Sequence, residues 1–462
     1  MSLVQQILQS TPTIYFWYIA IGVVIILVND LTFIPLALIH DRLLGRYPKP
    51  EVSPLVTVLV PAHNEQENID SLLRTLFEQT YEKMEIIVIN DGSTDHTREI
   101  LEPYALQGRI RVLNLGPPNV GKHAALNAGI KLAKGEILLV VDADGLLERD
   151  AVANMLVPFR DPNVMSVSGN IRVANPVNLL TRCQSLEYIR DINIPRRAFD
   201  LLNIALVVPG PLGAFRRSVL LNIGQYDPDT VTEDFDVTVK VQKARDSTKI
   251  ASRNITNAVA YTQAPQTLRD LVRQRKRWYG GMAQTYAKHH RHRMWRGSGS
   301  YSMIGVPYLF YTLFIIPPLE LIMTGITIIG LALDPLGIMA AYIVFCAMET
   351  LTSILAVALD RADWRLVLLS PLYVIGYRQL LDLVRVYAYV EAIRGRLGWG
   401  RAQRFGETSI KARSVLSVPA TAPSARFPAD SKKPKSARTV VSACFCLEIS
   451  SSHGSHRYMG LY

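Results

Sequence analysis

The sequence has few cysteines, and its basic surplus is concentrated at one end of the chain. Only 4 of the 462 residues are cysteine, and Cys444-x-Cys446 lacks the further ligands of a zinc site. The formal net charge is +11, but 12 Lys or Arg against 3 Asp or Glu follow from residue 394 onward, which accounts for +9. The rest of the chain is therefore close to neutral. The small number of cysteines argues against a disulfide-stapled scaffold, and the near-neutral charge of the rest of the chain argues against a nucleic-acid-binding groove.

Apolar residues, by contrast, make up 49% of the chain and are clustered, which is typical of a membrane protein. The first apolar run, Ile14 to His40, is long enough to span a bilayer. No Lys or Arg precedes it, which argues against a signal peptide. Arg42, Arg46 and Lys49 follow it directly. By the positive-inside rule, these charges predict a membrane anchor followed by a cytoplasmic segment.

Three further apolar stretches follow residue 300. Met303 to Leu333 is too long for one straight span and too short for two, and Pro317 and Pro318 predict a bend within it. Leu336 to Leu359 is typical of a single span. The last stretch, Trp364 to Val390, carries charged residues well inside it, so part of it must face protein or water.

The charged residues inside these stretches are costly in lipid. Arg378, Asp382 and Arg385 lie in the last stretch, and Glu320 and Glu349 lie in the two before it. The two glutamates either line a path for a polysaccharide or bond to a neighbouring helix. The sequence does not choose between these interpretations.

Between the membrane regions, apolar strand-like segments alternate with helix-like segments. The strand-like segments are Leu55–Val60, Glu85–Asn90, Arg109–Leu115 and Ile137–Val141. Such alternation predicts an α/β domain with a mostly parallel sheet and right-handed crossovers. Polar residues follow the strands at the edge where α/β sheets bind ligands: Glu65, Asp91, Lys122, Asp142 and Asp144. Four carboxylates and a lysine at one edge favour a site for a nucleotide diphosphate and its metal.

The pair Asp142 and Asp144 directly follows a short run rich in apolar residues, Ile137 to Val141. Carboxylates at that position can hold a divalent ion and leave coordination positions for a diphosphate. The alternative is an ordinary acidic turn after a strand, because Asp and Gly are common turn residues. A second segment, Val207 to Arg216, contains two glycines and two prolines, which suits a tight loop approached closely by substrate.

Six motifs occur in a fixed order: PAHNE, NDGSTD, the pair Gly121-Lys122, DAD, Thr232-Glu233-Asp234, and QRKRW at residues 274–278. Over residues 50–300 this set resembles the membrane-embedded family 2 glycosyltransferases that polymerise sugars. These include the chitin-oligosaccharide, hyaluronan and cellulose synthases, and the resemblance is greatest to the poly-β-1,6-N-acetylglucosamine synthase type. It implies a GT-A type nucleotide-diphospho-sugar transferase domain with added transmembrane helices.

The resemblance also implies a role for each motif residue. Asp234 would be the catalytic base, and Trp278 would stack on the acceptor sugar. Asp142 and Asp144 would bind the nucleotide and Mg²⁺ or Mn²⁺, with Asp144 the closer ligand. The remaining donor-binding residues would be Glu65 and Asp91 at the uridine, and Lys122, Gln274, Arg275 and Arg277 at the diphosphate. Metal ions and guanidinium groups suit a leaving diphosphate, and an indole suits the apolar face of a sugar.

Residue chemistry alone leaves other interpretations open for several of these positions. Lys122 could be a solvated loop residue, and Thr232 to Asp236 could be a hydrophilic turn. The basic run Arg269 to Arg277 could be a membrane-surface helix that also presents its last residues to the site. We interpret His289, His290 and His292 as an interfacial basic cluster rather than a metal site.

The sequence thus predicts four regions: a transmembrane anchor and linker at 1–49, a cytoplasmic GT-A domain at 50–300, transmembrane or interfacial helices at 301–393, and a basic low-complexity tail at 394–462. The implied enzyme is a processive inverting β-glycosyltransferase of the plasma membrane. It would use a UDP-sugar, foremost UDP-N-acetylglucosamine, a growing glycan acceptor, membrane lipid and a small accessory membrane subunit, and no nucleic acid. The alternatives are single addition of a sugar to a polyprenyl phosphate, and a non-enzymatic membrane scaffold or transporter.

Overall fold

The computed structural model describes residues 20–22, 24, 32–44, 54–245, 248–291 and 299–394. Most of the predicted anchor, with Arg46 and Lys49, lies outside these residues, as do His292 and the tail beyond Arg394. The described part of the anchor includes a helix, Thr32–Leu44, that extends past His40. Its residues Phe33, Ile34 and Ala37 are buried in a core shared with other helices.

One eight-stranded sheet organises the soluble part of the chain. The strands are β1 (Val56–Ala62), β2 (Met84–Asp91), β3 (Arg111–Leu115), β4 (Ile137–Val140), β5 (Leu146–Leu147), β6 (Ser166–Val173), β7 (Gly213–Arg216) and β8 (Arg253–Thr262). Their order is β3-β2-β1-β4-β7-β6-β8-β5. Strands β1 to β4 are parallel to one another, whereas β7 is antiparallel to both β4 and β6. The prediction of an α/β domain with a mostly parallel sheet is confirmed.

The helices follow the strands in the expected alternation. They are α1 (Thr32–Leu44), α2 (Ile69–Phe77), α3 (Thr97–Leu106), α4 (Lys122–Leu132), α5 (Ala151–Leu156), α6 (Leu179–Glu187), α7 (Ile194–Leu201), α8 (Arg217–Asn222), α9 (Glu233–Ala244), α10 (Leu268–Arg291), α11 (Val306–Phe310), α12 (Ile316–Leu333), α13 (Pro335–Asp360), α14 (Ser370–Leu372) and α15 (Arg378–Ile393). A π-helical segment, Tyr188–Asn193, joins α6 to α7. Such segments are often found at functional sites.

Apolar residues of β1, β2 and β4 are buried on both faces, as expected for parallel strands between helices. One core packs the sheet against α2 and α5, and another packs its other face against α4 and α9. A third core joins α1, α6, α7 and α10 to the helices that follow residue 300. The apolar C-terminal helices therefore pack on helices of the sheet-containing part of the chain.

Among the residues that the structure describes, three helical stretches are long and apolar enough to cross a membrane: residues 301–333, 335–360 and 364–393. Pro317 and Pro318 lie just after a π-helical turn, Tyr311–Ile315, and the helix continues through them. The third stretch is interrupted at Ile375 and Gly376, whose backbone angles are not helical. The first stretch therefore continues as a helix past its prolines, with a π-helical turn before them, whereas the third stretch is interrupted at Gly376.

Candidate active site

The carboxyl ends of β1, β2 and β4 meet at one edge of the sheet. β1 pairs with β2 on one side and with β4 on the other, all in parallel. From β1 the chain adds β2 and β3 on one side and then β4 on the other side, so the direction of winding reverses between β1 and β4. α/β sheets bind ligands at such a switch point. The residues that follow these strands, Glu65, Asp91, Asp142 and Asp144, all line one cavity. The structure thus brings together the acidic residues that the sequence singled out.

Asp91 fixes the loop before α4. Its Oδ1 accepts a hydrogen bond from the Val120 N–H at 2.8 Å, and its Oδ2 accepts one from the Gly121 N–H at 2.9 Å. Gly121 has a φ of +93°, which favours glycine at this position. Glu65 is also buried, and its Oε2 accepts from the Asn68 side-chain amide at 3.0 Å. Asp91 therefore shapes the cavity wall, and both residues remain predicted contacts of the nucleotide.

Lys122 is the first residue of α4 and lies among carboxylates. Its Nζ is 2.7 Å from Asp142 Oδ1 and 2.9 Å from Glu233 Oε1. Burial alone would lower the pKa of Lys122, but the charges of Asp142 and Glu233 outweigh it and raise that pKa. A Cβ on Gly210 would lie 2.8 Å from this ammonium group. At Gly210 the loop 207–216 therefore comes into close contact with the end of the Lys122 side chain.

Asp234 lies in the first turn of α9, with its side chain at the cavity. Its Oδ1 accepts from the Phe235 N–H at 2.8 Å, and within the described residues it forms no ion pair. Burial and the neighbouring charge of Glu233 raise the pKa of Asp234 to about 6. Since a general base works best with a pKa near the operating pH, this carboxylate is suited to remove a proton.

The two acidic neighbours of Asp234 are already engaged. Glu233 pairs with Lys122, as described above. Asp236 is fully buried, and its Oδ1 lies 2.8 Å from His289 Nε2 and 3.0 Å from Lys288 Nζ. Asp236 is also absent from the cavity lining. Of the three neighbouring carboxylates Glu233, Asp234 and Asp236, the geometry therefore leaves Asp234 as the one that faces the cavity without an ion pair among the described residues. Without the family resemblance, the sequence could not distinguish which of the three is the candidate base.

The motif QRKRW lies in the first half of α10. Gln274, Arg277 and Trp278 line the cavity. Their spacing of three and four residues places them on one face of the helix. Arg275 projects elsewhere, is fully buried, and pairs with Glu187 at 2.8 Å. It does not line the cavity, so the structure gives no support to its predicted contact with the diphosphate.

The cavity has a volume of about 930 Å³ and extends from the sheet edge to the C-terminal helices. At its far end it is lined by Leu309 and Thr312, and by Glu320, Arg378 and Asp382. Glu320 Oε1 lies 3.5 Å from Arg378 Nε. Glu349, by contrast, is buried outside the cavity and pairs with Arg190 and Arg378. Glu349 thus bonds to neighbouring elements, whereas Glu320 faces the cavity.

Sequence reasoning missed several residues of this region. Arg196 lines the cavity, interacts electrostatically with Asp234, and has its pKa lowered to about 10 by burial. Glu187 lines the cavity and holds Arg275. The pair Arg196-Arg197 after a proline was the available signal for the first, whereas no local pattern marks Glu187.

The expectation of an interfacial basic cluster of His289, His290 and His292 is wrong for His289, which is buried. His289 is buried against Asp236, and Lys288 Nζ lies 2.7 Å from Asp227 and 2.6 Å from Asp229. Together Asp227, Asp229 and Asp236 could hold a metal by their spacing, but Lys288 already neutralises them. These contacts tie α10 to the loop that leads into Asp234. Their function is structural.

Fold and site together define a GT-A type glycosyltransferase domain. Residues 57–224 match the family described as glycosyl transferase family 2, so the chain carries a family 2 glycosyltransferase domain. The motif-based identification is thereby confirmed. The family match ends before Asp234 and before QRKRW, so the assignments of those residues remain predictions.

Among known proteins, the chain is similar to the poly-beta-1,6-N-acetyl-D-glucosamine synthase of Staphylococcus aureus (strain COL), with 33% identity over 227 residues. That match covers 49% of this chain and 54% of the relative, and a synthase of the same name from Staphylococcus epidermidis matches at 32% over equal shares. The chain thus spans about half the length of the curated relatives it matches. The fold is similar to a mannosyltransferase, PcManGT, from Pyrobaculum calidifontis, solved with GDP-Man and Mn²⁺: the TM-score is 0.59 and the identity 21%, over 82% of this chain and 100% of that one.

Proposed function

We propose that this protein is a membrane-embedded, processive, inverting β-glycosyltransferase that transfers N-acetylglucosamine from UDP-N-acetylglucosamine to a growing polysaccharide. The observation that carries the proposal is Asp234. It is a carboxylate without an ion pair among the described residues, and it faces the same cavity as Asp142 and Asp144. A base on one side and a diphosphate-type site on the other are what a direct displacement at a sugar carbon needs.

In the proposed reaction, Asp234 takes the proton of an acceptor hydroxyl while that oxygen attacks the anomeric carbon of the donor. A new carbon–oxygen bond forms to the acceptor, and the bond from the anomeric carbon to the diphosphate breaks. One displacement inverts the configuration, so an α-linked donor gives a β linkage. Negative charge develops on the departing UDP, and Arg277, which lines the cavity, is placed to stabilise it.

The donor set at the end of β4 fits a divalent cation. Asp142 and Asp144 offer hard oxygen ligands, which Mg²⁺ and Mn²⁺ prefer. Asp144 is mostly buried, and both carboxylates line the cavity in which a donor diphosphate would bind. We assign the metal to these two aspartates. When bound, the cation would neutralise the diphosphate.

The acceptor side of the proposal rests on Trp278 and on the extent of the cavity. An indole provides a flat apolar surface for the C–H groups of a sugar ring. The cavity continues from Trp278 to Thr312, Glu320 and Arg378 in the C-terminal helices. Its length and polar far end favour a glycan chain over the small phosphate group of a polyprenyl acceptor. The relatives named as polysaccharide synthases support the same choice.

The test uses the purified full chain in lipid nanodiscs with a panel of UDP-sugars. We expect UDP release with UDP-N-acetylglucosamine, and mass spectra showing products that differ by one N-acetylhexosamine. EDTA should abolish transfer. Single addition to a polyprenyl phosphate would overturn the proposed polymerase, and donor binding without UDP release would favour a scaffold or transporter.

A substitution pair then assigns the base. Asp234→Asn should lower transfer by about 10²–10⁴-fold, with UDP binding nearly unchanged, because it keeps the shape but cannot accept the proton. Asp229→Asn is the matched control, since Asp229 is exposed on the same loop and does not line the cavity. Equal activity of Asp234→Asn and the parent would place the base elsewhere.

A further inference from the structure

Arg275 occupies a place in QRKRW that the proposed reaction does not use. It is 0% exposed, whereas Gln274, Arg277 and Trp278 of the same helix face the cavity. A fully buried guanidinium is costly unless its donors are bonded, so its partners indicate its role. Those partners are two cavity-facing neighbours on α10 and one carboxylate on α6.

The first partner is Trp278. The Arg275 guanidinium carbon lies 4.1 Å from the centroid of the Trp278 ring, which is the geometry of a cation–π contact. Arg275 therefore covers part of the indole away from the cavity. The Tyr188 ring lies 6.3 Å from the same indole and borders it on another side. These contacts restrict the orientation of the indole.

The second partner is Gln274. The Arg275 Nη1 donates to Gln274 Oε1 at 2.9 Å. Because a guanidinium has donors only, the amide oxygen of Gln274 must be the atom that turns toward it. The amide NH₂ is then the end left for a ligand in the cavity. Arg275 thus selects which half of the Gln274 amide a donor diphosphate would meet.

Arg275 is itself held from outside the helix. Its Nη2 lies 2.8 Å from Glu187 Oε2 at the end of α6, and the Tyr377 hydroxyl donates to the same oxygen at 2.5 Å. Tyr377 follows the kink at Gly376 in the third apolar stretch. A membrane-side residue, a carboxylate of the soluble domain and the buried arginine therefore form one connected network.

We propose that Arg275, held by Glu187 and Tyr377, is a positioning residue that fixes Trp278 for the acceptor sugar and Gln274 for the donor. This inference rests on the proposed function, because it takes Trp278 as the acceptor platform. It replaces the direct contact of Arg275 with the diphosphate that the motif implied. It also links the sugar site to the C-terminal helices through a single carboxylate.

The experiment compares Arg275→Lys with Arg273→Lys in the full chain. Lysine keeps the buried charge but lacks the planar fork that reaches Gln274 and Glu187 together. We expect Arg275→Lys to raise the acceptor KM roughly tenfold and the donor KM a few-fold. Arg273 is more exposed on the same helix and pairs with Asp270, so its variant should behave as the parent.

Double variants show whether Arg275 acts through its neighbours. In a Trp278→Ala background, Arg275→Lys should add little further effect on the acceptor KM, and in a Gln274→Ala background little on the donor KM. Tyr377→Phe gives a milder test, since it removes one hydrogen bond and strands no charge; we expect the acceptor KM to rise roughly two- to fivefold. A donor KM effect that persists undiminished without Gln274 would restore direct contact with the diphosphate and overturn the proposal.

A fluorescence measurement separates this inference from the proposed function. Trp278 becomes the single tryptophan, which can be excited selectively over tyrosine, when phenylalanine replaces the other four tryptophans, Trp17, Trp295, Trp364 and Trp399. Arg275→Lys should then change the emission and its quenching by acrylamide, whether or not any sugar is transferred. If the parent is inactive but the emission changes, the proposed function fails and the positioning contact stands. Unchanged emission together with an unchanged acceptor KM would refute the positioning role.

Discussion

At the scale of single residues, the site depends on how three adjacent acidic side chains are divided. Glu233 neutralises Lys122, Asp236 bonds to His289, and Asp234 faces the cavity. Each partner comes from a different element, so the division follows from packing. As a result, Asp234 faces the cavity without an ion pair among the described residues, while its two acidic neighbours stabilise the surrounding structure.

The pH dependence of transfer follows from the raised pKa of Asp234. Because that pKa is about 6, the carboxyl keeps its proton to a higher pH than an ordinary aspartate, and the base is lost as the pH falls through 6. We expect kcat/KM to rise with pH around a midpoint near 6 and to level off above it. A rate profile measured in the full chain checks this.

Glu233→Gln provides a comparison for that profile. Removing the adjacent negative charge should move the midpoint to a lower pH, since Glu233 is one cause of the raised pKa of Asp234. A profile that is flat across this range in the parent would contradict Asp234 as the base.

At the scale of elements, helix α10 both lines the cavity and packs against the region around Asp234. Its first half presents Gln274, Arg277 and Trp278 to the cavity, and its second half ties Lys288 to the loop before α9 and His289 to α9 itself. Between the two halves, Gly281 of α10 packs against Val231 and Thr232 of the loop before α9. Any displacement of α10 should therefore affect both Trp278, the proposed acceptor platform, and Asp234, the proposed base.

Gly281→Ala tests this packing. A Cβ there would lie 2.5 Å from Thr232 Cγ2 and 2.8 Å from Val231 Cγ2, just before Asp234. Overpacking of this kind costs about 1–3 kcal/mol, so we expect transfer to fall about tenfold or more at retained UDP binding. The matched control is Gly325→Ala on α12, where a Cβ would meet no atom within 4 Å of the described structure. Loss of transfer in the control alone would contradict the argument.

At the scale of the whole molecule, the C-terminal helices are fastened to the sheet by buried charges. Asp360, at the end of α13, accepts from Arg172 Nε of β6 at 3.1 Å and also pairs with Arg197 of α7. Arg190 of the π-helical segment pairs with Glu349 in the middle of α13. Breaking such buried pairs is strongly destabilising, so these contacts fix the helices against the soluble domain. The two parts of the chain act as one body.

This arrangement makes the predicted topology testable. The 26 residues of α13 extend about 39 Å at 1.5 Å per residue, so Leu336 lies far from the sheet-contacting end at Asp360. With native cysteines removed, a cysteine at exposed Gln107 should resist a membrane-impermeant thiol reagent in intact cells, and one at exposed Leu336 should react. Labelling of Gln107 before lysis would reverse the predicted orientation.

The sequence by itself determined the elements and the chemistry of the site. Short local patterns predict the parallel strands, the apolar C-terminal stretches and motif residues such as Asp142 and Asp144. The reason is that a run of apolar residues marks a strand buried on both faces, and polar residues directly after it mark the strand end. The second half of the sheet, with β7 antiparallel to β4, was not predicted, since pairing between distant strands leaves little local signal.

Only the tertiary structure decided what individual charged residues do. Arg275 and Arg277 stand two residues apart in one motif, yet one is buried on Glu187 and the other lines the cavity. Glu320 and Glu349 looked alike in the sequence, and only one of them faces the cavity. The physical reason is that the cost of a buried charge is set by its partners, and those partners come from parts of the chain that folding alone brings together.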